Sequence, residues 1–282
     1  MCIRDSIKKA KKQKSIPLLL KELKKLRMLK KYDLVIDMQG LIKSALVSKI
    51  IPSDVTLGFN KNSLRESLAS IFYNQTFSFD YASNIIDRHV AIISFGLQLN
   101  VSRSSLLKKL PILYSSKVYF FKEISINRKN ILIFPGASFQ SKCYPVEKYA
   151  EVANQIDSNF IIIWGNENEK LMANNIKCLS PKVKVCNLLS LDSIISLIGQ
   201  MDLLIGSDSG PSHIAWALNI PSIILFGPTP GYRNCHQTEI NKVIESDTKV
   251  NPHKINKNDY SIKNINANDI VKMARNLLNY IK

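Results

Sequence analysis

The chain has 282 residues, 45% of them hydrophobic, and its 39 Lys and Arg residues outnumber 22 Asp and Glu residues to give a formal net charge of +17. This composition is typical of a folded globular protein and excludes an intrinsically disordered one. No apolar run approaches the ~18 residues of a membrane span, and the lysine-rich start lacks the apolar core of a secretion signal. A membrane-spanning or exported protein is therefore not expected, and the length predicts two domains.

The first part of the chain predicts an α/β domain over residues 1–125. Its first helix is expected within Lys21–Lys31, with Ser15 as a cap and Pro17 in the first turn. The elements predicted after it are strand Asp33–Met38, helix Leu41–Ile50, strand Val55–Phe59, helix Leu64–Tyr73 behind a capping box formed by Ser63 and Glu66, and helix Ser83–Leu99. Residues Leu110–Asn130 lack clear periodicity and are predicted to join the two domains.

The second part, residues 126–265, alternates strands and helices in the manner of a parallel sheet built from βαβ units. The predicted strands are Ile131–Phe134, Phe160–Trp164, Val183–Cys186, Leu203–Gly206 and Ile223–Phe226. The predicted helices are Val146–Ile156, Glu167–Cys178, Leu191–Gly199 and Ser212–Leu218. A terminal amphipathic helix over Asn266–Ile281, within residues 266–282, is expected to join the first domain.

Cysteine and histidine usage predicts a reducing compartment and no metal site. The five cysteines and four histidines are dispersed, with no C-x-x-C pair and no spacing typical of zinc ligands. An odd, scattered set of cysteines argues against a disulfide framework. We therefore expect a cytoplasmic protein.

The positive charge is concentrated at the start of the chain. Residues 1–50 hold 14 Lys and Arg residues and four Asp and Glu residues, mostly in Lys8–Lys14 and Lys21–Lys31. A solvated helix face and a surface for an anionic partner are both compatible with this pattern. No recognition helix, RNP motif or zinc finger accompanies it, and no aromatic residues alternate with the lysines, so nucleic acid is not the expected partner.

Three turns that follow predicted strands carry residues suited to phosphate binding. Ser207–His213 contains Gly210, which allows close approach of a ligand, and it begins a helix whose free N–H groups favour an anion. Ser138 and Lys142 follow the first strand of the second domain, and Glu169 follows the next, where it can accept hydrogen bonds from a ribose. Each turn alone is more often a plain loop. Together, at one edge of a parallel sheet, they predict a site for a nucleoside diphosphate.

Other nucleotide-binding classes lack support in the sequence. The chain has neither the G-x-G-x-x-G fingerprint of dinucleotide-binding folds nor a G-x-x-x-x-G-K-[ST] loop. Hydride transfer with NAD and P-loop hydrolysis of ATP are therefore not expected.

Five stretches resemble glycosyltransferase family 9, whose members have the GT-B fold. They are Tyr32–Lys43 (YDLVIDMQGLIK), Leu64–Tyr73 (LRESLASIFY), Lys142–Pro145, Ser207–Leu218 (SDSGPSHIAWAL) and Phe226–Thr229 (FGPT). The resemblance implies two Rossmann-like domains with parallel sheets. It further implies an inverting transfer of L-glycero-D-manno-heptose from ADP-heptose to the Kdo sugar of Kdo-lipid A in the lipopolysaccharide inner core, without a cofactor or required metal.

The resemblance also assigns roles to individual residues. It implies that the donor is bound by Ser138, Lys142, Glu169, Asp208, Ser209, Gly210 and His213. It implies that Lys43 and Arg65 bind the anionic acceptor and that the basic region Lys8–Lys31 meets this acceptor. An anionic inner-membrane surface is expected as a further partner. The expected location is the cytoplasm, peripheral to the inner face of the bacterial inner membrane.

One departure from the family pattern concerns the general base. The family places this aspartate in a Ser-x-Gly-Asp loop after the first strand of the N-terminal domain, and the sequence contains neither that loop nor that strand. The first domain is therefore expected to be incomplete and this chain to turn over poorly, since loss of a general base typically costs ~10²–10⁴-fold in rate. Asp37 lies in a strand motif and is interpreted as structural.

Two alternatives stay open at this point. One is another member of the family with a different acceptor or sugar nucleotide. The other is a non-catalytic protein that binds polyanions through the basic region, for which binding falls steeply with salt and ignores the ADP-sugar.

Overall fold

The computed structural model describes residues 16–280, which form two compact units, one ending at Arg103 and the other beginning at Ser104. This division lies before the predicted one at 125/126, because the joining segment packs on the second unit. Ser116 bonds through its backbone N–H and its hydroxyl to Asp192 at 2.8 and 2.6 Å, and Phe121 is buried in that unit's core. Ser15 and Lys8–Lys14 lie outside the described residues.

The first unit contains a parallel sheet in which β1 pairs with β2 and β2 with β3. Its elements are α1 (Ile16–Arg27), β1 (Tyr32–Ile36), α2 (Ile42–Ile50), β2 (Ser53–Phe59), β3 (Gln75–Phe77) and α3 (Ile85–Leu97). Leu57 and Phe59 of β2 are fully buried, and Ile92 of α3 packs with them. Asn84 caps α3 by accepting a hydrogen bond from the Ile86 N–H at 3.0 Å.

The predicted helix Leu64–Tyr73 is wrong in type: the structure has a 3-10 helix over Ser67–Phe72. The two side chains expected to form its capping box bond elsewhere. The Ser63 hydroxyl accepts from the Phe79 N–H at 2.9 Å, and Glu66 accepts from the Ile42 N–H at 2.9 Å. Glu66 therefore caps α2, where a carboxylate also complements the helix dipole.

The second unit contains a six-stranded parallel sheet in the order β6-β5-β4-β7-β8-β9. Its strands are β4 (Asn130–Phe134), β5 (Asn159–Ile162), β6 (Lys184–Val185), β7 (Leu203–Ser207), β8 (Ser222–Phe226) and β9 (Asn241–Glu245). Its helices are α5 (Val146–Gln155), α6 (Glu167–Leu179), α7 (Leu191–Ile198), α8 (Gly210–Ala217), α9 (Gly231–Asn234) and α10 (Ala267–Tyr280), and α4 (Arg103–Leu107) lies at the boundary.

Both faces of this sheet are covered, as the continuous apolar strands predict. Ile131 and Ile133 of β4 belong to the core cluster that includes α5, whereas Leu132 and Phe134 belong to the cluster that includes α7.

The terminal helix α10 packs in the core of the second unit, although it was expected to join the first. Its buried residues Ile270, Ala274 and Leu277 share a cluster with Tyr149 of α5 and Ile223 of β8. Their spacing of three and four residues places them on one face of the helix. Among residues 16–280, no helix combines the length and hydropathy of a membrane span.

Candidate functional site

The site predicted from the sequence lies where the strand order of the second unit reverses. From β4 the chain continues outward to β5 and β6, and it then returns to the other side of β4 to form β7, β8 and β9. In open α/β sheets, ligands bind outside the carboxyl ends of the strands at this switch point. The loops after β4 and β7, which are neighbouring strands, therefore form the centre of the candidate site.

An ion pair joins these two loops. Lys142 Nζ lies 2.6 Å from Asp208 Oδ2, and both residues are only 7% exposed. Thr229 Oγ1 and Asn234 Nδ2 each donate to the same carboxylate oxygen at 3.1 Å, and His213 Nε2 lies 3.3 Å from the other oxygen. Four segments of the second unit thus converge on one carboxylate.

This arrangement keeps Asp208 ionised. Burial by itself raises the pKa of the Asp208 carboxyl, but the hydrogen bond from His213 and the positive charge of Lys142 outweigh it and hold the pKa well below its usual range. The pair therefore places a buried, lysine-compensated negative charge at the switch point.

The N-terminus of α8 opens beside this ion pair. Ser209 is the N-cap residue but makes no side-chain capping bond, so the first N–H groups of the helix are left for another acceptor. Ser212 closes the turn by donating to the Ser207 carbonyl at 2.7 Å. A Cβ added at Gly210 would meet no atom within 4 Å, so there is open space directly in front of the helix.

Glu169 completes this edge of the sheet. Its Oε2 accepts from the Gly165 N–H at 2.7 Å, and a Cβ at Gly136 would lie 2.3 Å from the Glu169 carboxyl carbon. The absence of a side chain at Gly136 lets the carboxylate lie against the loop that carries Ser138, which is exposed. The second predicted turn and the third thus meet.

In the first unit, the turn after β1 is held by Asp37, which is only 4% exposed. Its carboxylate accepts hydrogen bonds from the N–H groups of Gln39 and Gly40 and from the hydroxyls of Ser44 and Tyr73, at 2.7–3.2 Å. Gly40 has a φ of 65°, a conformation that glycine adopts without strain. Asp37 is therefore a structural residue of the turn.

The predicted acceptor residues Lys43 and Arg65 are both exposed in the first unit. The Glu66–Ile42 hydrogen bond brings their two segments together. Arg65 lies 3.5 Å from the Glu66 carboxylate, which is a long contact, and half of its side chain is exposed, so its guanidinium is accessible to an anion.

Sequence reasoning did not identify two residues that organise these regions. Asn234 lies in the four-residue helix α9, and no spacing in the sequence relates it to Asp208. Arg88 is buried and donates to the carbonyls of Ser63, Phe79 and Asp80 at 2.6–2.9 Å, although its position in α3 resembles that of any helical arginine.

Comparison with protein families settles the class of the chain. Residues 20–260 match the model of glycosyltransferase family 9 (heptosyltransferase). The chain belongs to this family. Lipopolysaccharide heptosyltransferase 1 of Campylobacter coli is 39% identical over 87% of this chain and 76% of its own length. The enzyme of the same name from Escherichia coli K12 is 27% identical over 71% of this chain, which spans only 62% of that relative.

Solved family 9 structures share the fold. The E. coli heptosyltransferase WaaC with ADP aligns with a TM-score of 0.73 at 21% identity, over 96% of this chain and 82% of that one. The E. coli ADP-heptose heptosyltransferase II aligns with a TM-score of 0.63 at 20% identity, over 92% and 80%. The chain thus has the GT-B fold, as the family resemblance implied, with the parallel sheets that the strand and helix pattern predicted.

Proposed function

We propose that this family 9 glycosyltransferase transfers L-glycero-D-manno-heptose from ADP-heptose to the Kdo of Kdo-lipid A, which is the reaction of heptosyltransferase I. The observation that carries the proposal is the Lys142–Asp208 pair beside the open N-terminus of α8, at the switch point of the sheet. A nucleoside diphosphate needs both a cation and free N–H donors, and this edge supplies them together.

The diphosphate of the donor is proposed to lie between Lys142 and the first turn of α8. Gly210 leaves room for it, and the hydroxyls of Ser138 and Ser209 add donors at the two sides. Asp208 keeps Lys142 at the site in the absence of ligand, and Thr229 reduces the repulsion between that carboxylate and the diphosphate by donating to it.

Two further groups are proposed to recognise the rest of the donor. Glu169 lies in the first turn of α6, the helix that follows β5, where its carboxylate can accept bonds from the ribose hydroxyls, as acidic residues near the strand ends do in Rossmann-like folds. Asp208 Oδ1 lies 3.3 Å from Nε2 of the half-exposed His213 ring. Because a carboxylate oxygen can accept more than one hydrogen bond, it can also accept one from a heptose hydroxyl.

The proposed chemistry is a single displacement with inversion. A Kdo hydroxyl oxygen bonds to the anomeric carbon and gives its proton to a base, while the bond from that carbon to the diphosphate breaks and ADP leaves. Lys142 and the α8 N–H groups stabilise the charge that develops on the departing diphosphate. Asp37 is not proposed as the base, because four donors already occupy its carboxylate. Poor turnover of this chain stays a prediction.

The acceptor is proposed to contact Lys43 and Arg65 in the first unit, where exposed cations suit an anionic Kdo-lipid A. The exposed lysines of α1 are proposed to lie on an anionic membrane surface, with the protein peripheral to the inner face of the inner membrane. Lys21, Lys24 and Lys25 are all exposed, and each basic residue near such a surface contributes about 1 kcal/mol.

A sister transferase such as heptosyltransferase II is the alternative. The heptosyltransferase 2 of E. coli K12 is 30% identical over 43% of this chain. The two enzymes are distinguished by their acceptors. Kdo-lipid A favours the first proposal, and a heptosylated core favours the second.

The test is a transfer assay with ADP-heptose and Kdo-lipid A, followed by NMR of the product's anomeric centre. We expect a heptosylated product of inverted configuration, and a higher acceptor KM with unchanged ADP affinity for Arg65→Ala. Lys61→Ala, at an exposed position in the same segment, is the control. Product of retained configuration, or transfer to neither acceptor by the folded protein, would contradict the proposal.

A further inference from the structure

The helix that begins at the proposed donor site is held at its other end by Lys109, which directly precedes the joining segment Leu110–Asn130. Lys109 Nζ donates to the carbonyl oxygens of Trp216 and Ala217, the last residues of α8, at 2.7 and 3.2 Å. It also donates to Asn219 Oδ1 at 2.5 Å and lies 4.3 Å from the centre of the Trp216 ring. The ammonium group therefore occupies the C-terminal end of α8.

The contact is reciprocal, which distinguishes it from an incidental surface bond. Asn219 adopts a left-handed conformation with a φ of 59° and returns a hydrogen bond from its Nδ2 to the Lys109 carbonyl at 2.8 Å. Three residues along the segment, the Ile112 N–H donates to the Ala217 carbonyl at 3.0 Å. The main chain at Lys109 and at Ile112 is thus bonded to the end of the helix.

A cation at this position compensates the partial negative charge at the C-terminal end of α8. The last carbonyls of a helix lack partners within the helix and carry partial negative charge, while the first N–H groups carry partial positive charge. With only eight residues, α8 has few internal hydrogen bonds and gains little stability by itself. Its position therefore depends on tertiary contacts, which are the packing of Ala215 in the core and the bonds at its C-terminal end.

We propose that Lys109 is a positioning residue of the donor site, which holds α8 by its C-terminal carbonyls so that the N–H groups at Gly210 and Ser212 stay aimed at the donor diphosphate. This inference rests on the proposed function, because it needs an anion at the N-terminus of α8. It assigns to Lys109 a role that the proposed donor-binding residues themselves do not supply.

The experiment compares Lys109→Met with Lys108→Met, a matched control at the exposed neighbouring position. Calorimetry with ADP and steady-state kinetics with ADP-heptose are measured on the full chain, beside its melting temperature. We expect Lys109→Met to raise the Kd for ADP and the donor KM by about 3- to 10-fold, as the loss of a helix-end charge and its bonds implies, with an unchanged acceptor KM. Lys109→Arg, which keeps the charge and the donors, is expected to recover most of the affinity.

The outcomes separate this inference from the proposed function. If Lys109→Met lowers the melting temperature while ADP affinity and donor KM stay at the wild-type values, Lys109 is only a structural residue and the inference is overturned. If Lys109→Met does not fold, Lys109→Gln is measured in its place, since its polar amide replaces the apolar methionine but lacks the charge and the reach of the ammonium group, and a Kd equal to that of wild type overturns the inference equally. If the folded wild-type chain does not bind ADP, the proposed function is contradicted, and so is this inference, which rests on it.

Discussion

At the scale of single residues, Asp208 is the most constrained group of the proposed donor site. Asp208→Asn keeps the shape of the side chain but leaves Lys142 as a buried cation without a counter-charge. We expect a loss of about 3–5 kcal/mol in the free energy of unfolding at pH 7, measured with urea, because removing one partner of a buried pair leaves the other uncompensated. Asp157→Asn, whose carboxylate is 87% exposed, should change it little.

The pH dependence of this loss follows from the direction of the pKa shift. Because the pKa of Asp208 is lowered in the folded chain, its stabilising contribution is fully present above the unfolded pKa of about 3.9 and is lost as the pH falls toward the folded pKa. The gap between wild type and Asp208→Asn should therefore be smaller at pH 3 than at pH 7. An equal gap at both pH values would contradict the assigned cause.

Arg88 organises the first unit in a comparable way. Arg88→Met removes the hydrogen bonds to three carbonyls and the contact over the Phe59 ring, whose centre lies 4.2 Å from the guanidinium carbon. We expect the free energy of unfolding to fall by about 2–4 kcal/mol. Arg103→Met is the control, since its side chain is 72% exposed and lies 3.7 Å from Asp87. Equal urea midpoints for the two variants would show that Arg88 has no such role.

The residues of the site differ in how far sequence could identify them. Lys142, Asp208 and Gly210 lie in short motifs directly after apolar strands, so their position at the sheet edge follows from the rule for parallel sheets. The position of Asn234 does not follow from that rule, because its contact to Asp208 depends on the path of the chain after β8. The role of Arg88 could not be predicted for a similar reason, because its partners are carbonyls of a loop whose course the sequence does not specify.

At the scale of elements, periodicity identified the buried strands and missed the polar ones. β4 and β7 are continuous apolar runs covered on both faces, and they were predicted nearly to their ends. β3 and β9 were not predicted, because edge strands rich in Gln, Asn, Lys and Glu carry no apolar alternation. An α-helix was expected at Leu64–Tyr73, but the structure has a 3-10 helix there, because the side chains expected to cap it, Ser63 and Glu66, bond to other segments.

Close packing of two elements gives a prediction of its own. A Cβ at Gly227, just after β8, would lie 2.7 Å from the backbone nitrogen and the Cβ of Ile262, in the 3-10 helix Ser261–Asn264. We expect Gly227→Ala to lower the free energy of unfolding by about 1–3 kcal/mol, because neither backbone can yield easily. At Gly199 the nearest atom is 3.5 Å away, so Gly199→Ala should be tolerated. Equal thermal stability of both variants would contradict this packing.

At the scale of the whole molecule, the two units have separate cores, and the residues proposed to bind the donor all belong to the second. Residues 34–92 of the first unit supply one cluster, and the larger clusters on the two faces of the six-stranded sheet lie in the second. Hydrogen exchange with and without ADP should therefore show protection at the loops after β4, β7 and β8. Protection confined to the turn after β1 would place the nucleotide in the first unit and would contradict the proposed site.

The central claim is that the switch point of the second unit binds a nucleoside diphosphate through Lys142 and α8. Calorimetric titration of the full chain with ADP tests it most directly, with Lys142→Met beside it and Lys177→Met, at an exposed position near the end of α6, as the control. We predict binding of one ADP per chain, weakened at least about tenfold in Lys142→Met by the loss of charge-assisted bonds, and unchanged in the control. Absence of heat with folded wild-type protein, or equal affinity in Lys142→Met, would contradict the claim.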